Sequence, residues 1–105
     1  MEQSYSVRRI DDRIVVTGDI DLGSALGFAD DLLAAIGDDG SGKLELDLSG
    51  VTFIDSSGLQ ALITVVQAVR RPVRIAASSR VFVALDVVGL TKGAWQGVSV
   101  DRVDD

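Results

Sequence analysis

The 105-residue sequence contains no cysteine and no histidine. Disulfide bridges, thiolate chemistry, the usual zinc sites and imidazole acid–base catalysis are thereby excluded. Carboxylates, hydroxyls, Lys, Arg and the single Tyr5 remain. That is a thin kit for catalysis, so a non-enzymatic role is expected, with no cofactor and no metal. Positive charge is also short, with Lys and Arg numbering 10 against 16 Asp and Glu for a formal net charge of −6. An acidic domain repels phosphate backbones and anionic lipid, which makes nucleic acid and bare membrane surface poor partners. A basic patch on another protein is the better expectation. Long apolar runs are missing, because Gly, Asp or Arg interrupts each before membrane-spanning length. Met1-Glu2-Gln3-Ser4 carries no basic region leading into an apolar segment, so no secretory signal is read and a cytoplasmic location is expected.

What is present is ordinary globular material, 47% apolar and 25% charged, enough for one domain over 1–105. Two short strands are expected at 7–10 and 13–17 around an Asp11-Asp12 turn, with Gly18-Asp19-Ile20-Asp21 ending the second. Ala25, Phe28, Ala29, Leu32, Leu33 and Ile36 then follow helical spacing, with Ser24 or Asp21 as the cap and Gly37 as the stop. Leu44, Leu46 and Leu48 alternate with Glu45 and Asp47 in a third strand, and Ser49-Gly50 reads as a turn or bend. A second helical stripe is Leu59, Leu62, Ile63, Val66 and Val69, with Arg70-Arg71 at its C-terminal dipole end and Pro72 as the stop. Val73, Ile75 and Ala77 alternate in a fourth strand. A third helix capped by Ser78 or Ser79 carries Val81, Ala84, Leu85 and Val88 up to Gly89. Trp95 reads as packing ahead of a last strand at 98–100, and 101–105 as a frayed acidic tail. The order predicts an α/β domain: a mixed sheet with an opening antiparallel hairpin, then parallel βαβ units, covered by helices mainly on one face.

The most informative stretch is Thr52-Phe53-Ile54-Asp55-Ser56-Ser57-Gly58-Leu59, where a strand gives way to a helix. Two hydroxyls therefore fall at a helix N-terminus, among free N–H groups and the positive end of the dipole. A phosphoryl group there adds roughly −1.5 to −2 of charge to one small patch. Ser56 also reads as a simple N-cap, a role worth about 1 kcal/mol, or Ser57 supplies the cap while Ser56 stays exposed. Gly58 reads as backbone accommodation. The Gly-rich piece 37–42 is not a phosphate-binding loop, since Lys43 is followed by Leu44 rather than Ser or Thr.

Gly18-Asp19-Ile20-Asp21, Leu44-Glu45-Leu46-Asp47-Leu48-Ser49 and Phe53-Ile54-Asp55-Ser56-Ser57-Gly58-Leu59 together resemble the STAS domain, most of all the stand-alone bacterial anti-sigma factor antagonist. Gly89-Leu90 after a short amphipathic helix also fits, so the resemblance covers nearly the whole chain. It implies a cytoplasmic switch. The unphosphorylated protein binds an anti-sigma factor that is also a serine kinase, and so frees a sigma factor. The kinase then phosphorylates Ser56, the serine directly after the motif's Asp, and the complex breaks. A separate serine phosphatase resets the switch, and ATP and metal belong to the kinase. Asp21, Asp55, Ser57, Gly58, Leu59 and Gln60 would form the phosphosite surroundings and partner surface.

Asp21 and Asp55 would orient the hydroxyl and repel the phosphate once formed. At an effective dielectric of 20, unit charges about 6 Å apart interact by roughly 3 kcal/mol before screening. Both also read as turn or cap aspartates, and Asp47 as a solvated strand residue or a support for the phosphosite loop. The sequence departs from the family pattern at Gln60, where many members have Gly, and in stopping at Asp105 without the final helix that many relatives carry. The first departure bears on the partner surface, the second on partner or oligomerisation. The rival reading is a non-phosphorylated STAS subunit of an ABC-type transporter, including the lipid-transport systems. A nucleotide-binding or hydrolytic protein is disfavoured by the missing His, Cys and phosphate loop.

Overall fold

Asp11 and Asp12 reverse the chain between strand β1 (Tyr5–Ile10) and strand β2 (Arg13–Ile20), with Asp11 in the left-handed region at φ 56°. Aspartate tolerates that region better than most side chains do. The computed structural model describes residues 4–37, 42–69, 71–92 and 97–103. Helix α1 (Ala25–Ile36), strand β3 (Leu44–Ile54), helix α2 (Ser56–Ala68), strand β4 (Val73–Ala77), helix α3 (Ser79–Val87), a 3₁₀ turn (Leu90–Lys92) and strand β5 (Val98–Arg102) follow in turn. The sheet runs β1-β2-β3-β4-β5, with β1 and β2 antiparallel and every later pair parallel.

Sequential parallel strands joined by right-handed crossovers carry their helices to the same face. The burial alternation agrees. Ile14, Leu46 and Ile75 are in register and no more than 1% exposed, and Phe28, Leu32, Leu62, Val65, Val81 and Leu85 pack over that face. The opposite face is uncovered and ionic. Arg13 lies 3.9 Å from Asp47, and Arg74 sits 3.6 Å from Glu45 and 2.7 Å from Asp101.

Several boundaries differ from the sequence expectation. β2 does not stop at Gly18; it continues to Ile20 because β3 is longer than expected and keeps pairing with it. Ser49-Gly50 is not a turn. β3 gains one residue over β2 there and another near Phe53, two bulges inside one continuous strand. The Asp47 carboxylate accepts from the Ser49 N–H at 3.0 Å and the Ser49 hydroxyl at 2.6 Å, steadying the first bulge. Gly50 passes so close to Thr17 that an added Cβ would lie 2.8 Å from its Cγ2.

On α1, Leu33 is 45% exposed rather than part of the buried stripe, and on α2 the buried Val65 was not in the expected stripe. Helical spacing alone does not settle which residues at the edges of an apolar stripe are covered. Gly37, at φ 69°, ends α1 as expected. Ser24 is the α1 N-cap by position, but its side chain makes no cap bond. α2 ends at Ala68, and Arg71 turns from the helix to donate to the Gly42 carbonyl at 3.0 Å. Ser78, not Ser79, caps α3, accepting from the Val81 N–H at 3.4 Å and donating to the Val51 carbonyl at 2.9 Å. Asp101 and Arg102 belong to β5 rather than to a frayed tail. Asp38 to Ser41, Arg70, Trp95 and the last two aspartates lie outside the described residues.

Candidate functional site

β2, β3 and β4 run parallel, so the loops leading into α1, α2 and α3 gather at one edge of the sheet. Ile20 and Ile54 are paired at the ends of β2 and β3, and the Asp55 N–H donates to the Ile20 carbonyl at 3.2 Å. Past that bond the chain turns into α2.

Asp55 is the α2 N-cap, in extended conformation at φ −98° and ψ −175°. One carboxylate oxygen accepts from the Gly58 N–H at 2.9 Å, the capping bond. The other accepts from the Leu22 N–H at 3.1 Å, in the loop that opens α1. A single side chain therefore caps one helix and pins the loop of its neighbour. The aspartate before the serines takes the capping role, for which Asp55, Ser56 and Ser57 are all candidates by sequence.

Ser56 is consequently the first residue of α2, exposed, and its hydroxyl has no hydrogen-bond partner among the described residues. Ser57 is half-buried and does not cap. With the Gly58 amide taken by Asp55, the amides of Ser56 and Ser57 remain as the unsatisfied donors of the helix start. An anion on Ser56 would meet those donors and the positive end of a 13-residue helix.

Gly58 is buried against the same strand ends. An added Cβ would lie 2.7 Å from both the Ile20 carbonyl oxygen and Ile20 Cγ2, and 3.0 Å from Ile54 Cγ1. The glycine is required by close approach, not by an unusual backbone angle. Leu59 is partly buried against the core. Gln60 is exposed one residue further on, and its carbonyl accepts from the Thr64 hydroxyl at 2.9 Å.

Asp21 stands in the loop pinned by Asp55. Its N–H donates to Ser24 Oγ at 3.0 Å, and its carboxylate accepts from the same hydroxyl at 3.2 Å. Asp21 and Asp55 thus reach the same edge through Leu22. Asp47 lies away from it, on the uncovered sheet face.

Three features of this edge are absent from the sequence reading. Leu22 supplies an amide to Asp55 while its side chain is 78% exposed, and Leu26, at the start of α1, is 86% exposed. Beside the site, Phe53, Ile54, Ser79, Arg80, Val83 and Ala84 line an open groove of about 440 Å³. Leucines outside the stripe are the sole sequence trace of the first two; the groove joins β3 to α3 and leaves none.

The chain matches the family model described as "Mlab, STAS domain" over residues 4–95. Among solved structures it is similar to an anti-sigma factor antagonist from Mycobacterium paratuberculosis, with 24% identity and a TM-score of 0.65, over 90% of this chain and 83% of that one. It is also similar to the murine Solute Carrier 26 family member A9 anion transporter in the inward-facing state, with 26% identity and a TM-score of 0.58. That match covers 89% of this chain and 16% of the transporter. A search of curated proteins finds no match.

Proposed function

We propose that this chain, which belongs to the STAS domain family, is an anti-sigma factor antagonist switched by phosphorylation of Ser56. The observation that carries the reading is the division of labour at the start of α2: Asp55 does the capping, which leaves the Ser56 hydroxyl exposed and, among the described residues, unengaged. The likeness to the mycobacterial antagonist, over most of both chains, supports the same reading. In it the unphosphorylated protein sequesters an anti-sigma factor with serine-kinase activity, and a sigma factor is freed. The chain is a regulator rather than an enzyme. The kinase supplies ATP, metal and positioning groups, and a serine phosphatase restores the hydroxyl. A cytoplasmic location belongs to this reading, and no helix among the described residues is long and apolar enough to cross a membrane.

A phosphoryl group on Ser56 would stand next to the Asp55 carboxylate and compete for the amide donors around it. Repulsion there would strain the Asp55–Leu22 bond that fixes the α1 loop. Phosphorylation would thereby change both the charge and the shape of the partner surface. Ser56→Ala is expected to remain bound to the partner, and Ser56→Asp to bind poorly. The first experiment is intact mass of the protein recovered from its own cells, with fragmentation to place the modification. A gain of about 80 Da, one phosphate, on Ser56 supports the switch. The same gain on Ser57 moves the site by one residue. A Ser56→Asp variant with undiminished affinity sinks the switch.

A second reading is a non-phosphorylated STAS subunit of an ABC-type lipid transporter. It is favoured by the likeness to part of an anion transporter. An ABC ATPase as the main co-purifying protein, with no phosphate under any growth condition, would establish it in place of the first.

A further inference from the structure

The groove beside the site combines features that intramolecular packing does not explain. Its lining is mostly apolar: Phe53 is 42% exposed and Val83 60%, and Val87, one helical turn further along α3, is 80% exposed. Among the described residues Arg80 is the one cation lining it, and it has no hydrogen-bond or ion-pair partner there. Arg80 is also the second residue of α3, in the first turn, where the helix dipole favours an anion and disfavours a cation. The residues that line the groove with Arg80 include no carboxylate, so the guanidinium has no counter-charge within the groove itself. An unpaired guanidinium held at an unfavourable helix end, beside exposed apolar side chains, matches the anchors found at protein interfaces, where Arg and apolar residues surround a desolvated contact.

We propose that the Phe53–Arg80–Val83 groove docks an amphipathic segment of a partner protein. The apolar residues of that segment fill the groove, and a carboxylate on it pairs with Arg80. A carboxylate is the fitting counter-group because the guanidinium offers planar, paired donors. The inference goes beyond the phosphoswitch: it requires that the chain bind a protein and does not rest on modification of Ser56.

The test places a photo-crosslinking residue in the groove, Val83→p-benzoylphenylalanine, and beside the serines, Gln60→p-benzoylphenylalanine, in the full chain expressed in its own cells. Crosslinked segments are then sequenced. The expected result is a crosslink from position 83 to a segment that carries Asp or Glu within one helical turn of apolar residues. Arg80→Glu should cut that crosslink at least tenfold, and Lys in place of the partner's carboxylate should restore it. Because Glu suits the first turn of α3, Arg80→Glu should leave thermal stability unchanged or raise it, so the loss cannot be assigned to unfolding. A crosslink from position 60 with none from 83, a segment without a carboxylate, or indifference to Arg80→Glu overturns the groove while leaving the proposed function standing. No protein captured from either position overturns both.

Discussion

Gly58 separates two opposing expectations at a single residue. Helix propensity alone favours Ala over Gly by about 1 kcal/mol inside a helix. The ideal Cβ, however, would meet a backbone carbonyl oxygen and a branched side chain of β2 at 2.7 Å. Backbone at a sheet end cannot move aside as the tip of a long side chain can. Gly58→Ala is therefore expected to destabilise by about 1–3 kcal/mol, the usual cost of overpacking, in urea denaturation. A stabilised variant would show that α2 lifts from the strand ends more easily than this packing implies. Gly58 was legible as a backbone requirement, but its cause was not, because Ile20 is remote in sequence. Asp55 was legible as either a cap or a site residue, and it proves to be a cap whose second oxygen reaches Leu22.

Between elements, β1 is held to α1 by Tyr5. Its ring meets Phe28 edge-on at 5.8 Å between centroids, and its hydroxyl donates to the Asp31 carboxylate at 2.6 Å. Burial first, then that bond to a carboxylate, push the phenol pKa up to about 12. An unfolded tyrosine titrates at about 10. The raised pKa contributes stability that is complete below pH about 10 and is lost as the pH climbs toward 12. The sequence has one tyrosine, so phenolate absorbance follows this group alone. The midpoint should lie well above that of free tyrosine, and Tyr5→Phe should remove part of the alkaline loss of stability. An ordinary midpoint in the folded protein would mean that β1 does not dock on α1 in this way. Element order was legible because the turn residues and the 2- and 3.6-residue periods agree. The bulges in β3 were not, since Ser49-Gly50 carries the same composition in a bulge as in a turn.

For the molecule as a whole, the helices leave one sheet face to solvent, and charge replaces apolar cover there. Arg74 reaches Glu45 on β3 and Asp101 on β5, crossing three strands. These groups are about half exposed, and exposed pairs contribute little and are screened by salt. Arg74→Ala should lower the thermal midpoint only slightly, and the difference should shrink in molar salt. A large, salt-independent loss would mean that the face is covered by something other than water.

Element order, the mixed sheet and the apolar stripes follow from local sequence alone. So does the placing of two serines at the start of α2. Each of these is carried by residues close together in the chain: a turn pair, an alternating strand, a helix stripe, an aspartate before serines. Long-range packing settles which side chain caps α2, that Asp55 pins the α1 loop, and that Arg80 and Phe53 line one groove. Those contacts join residues of separate strands and helices, and their geometry is set by how the helices lean on a bulged sheet, which no local pattern encodes.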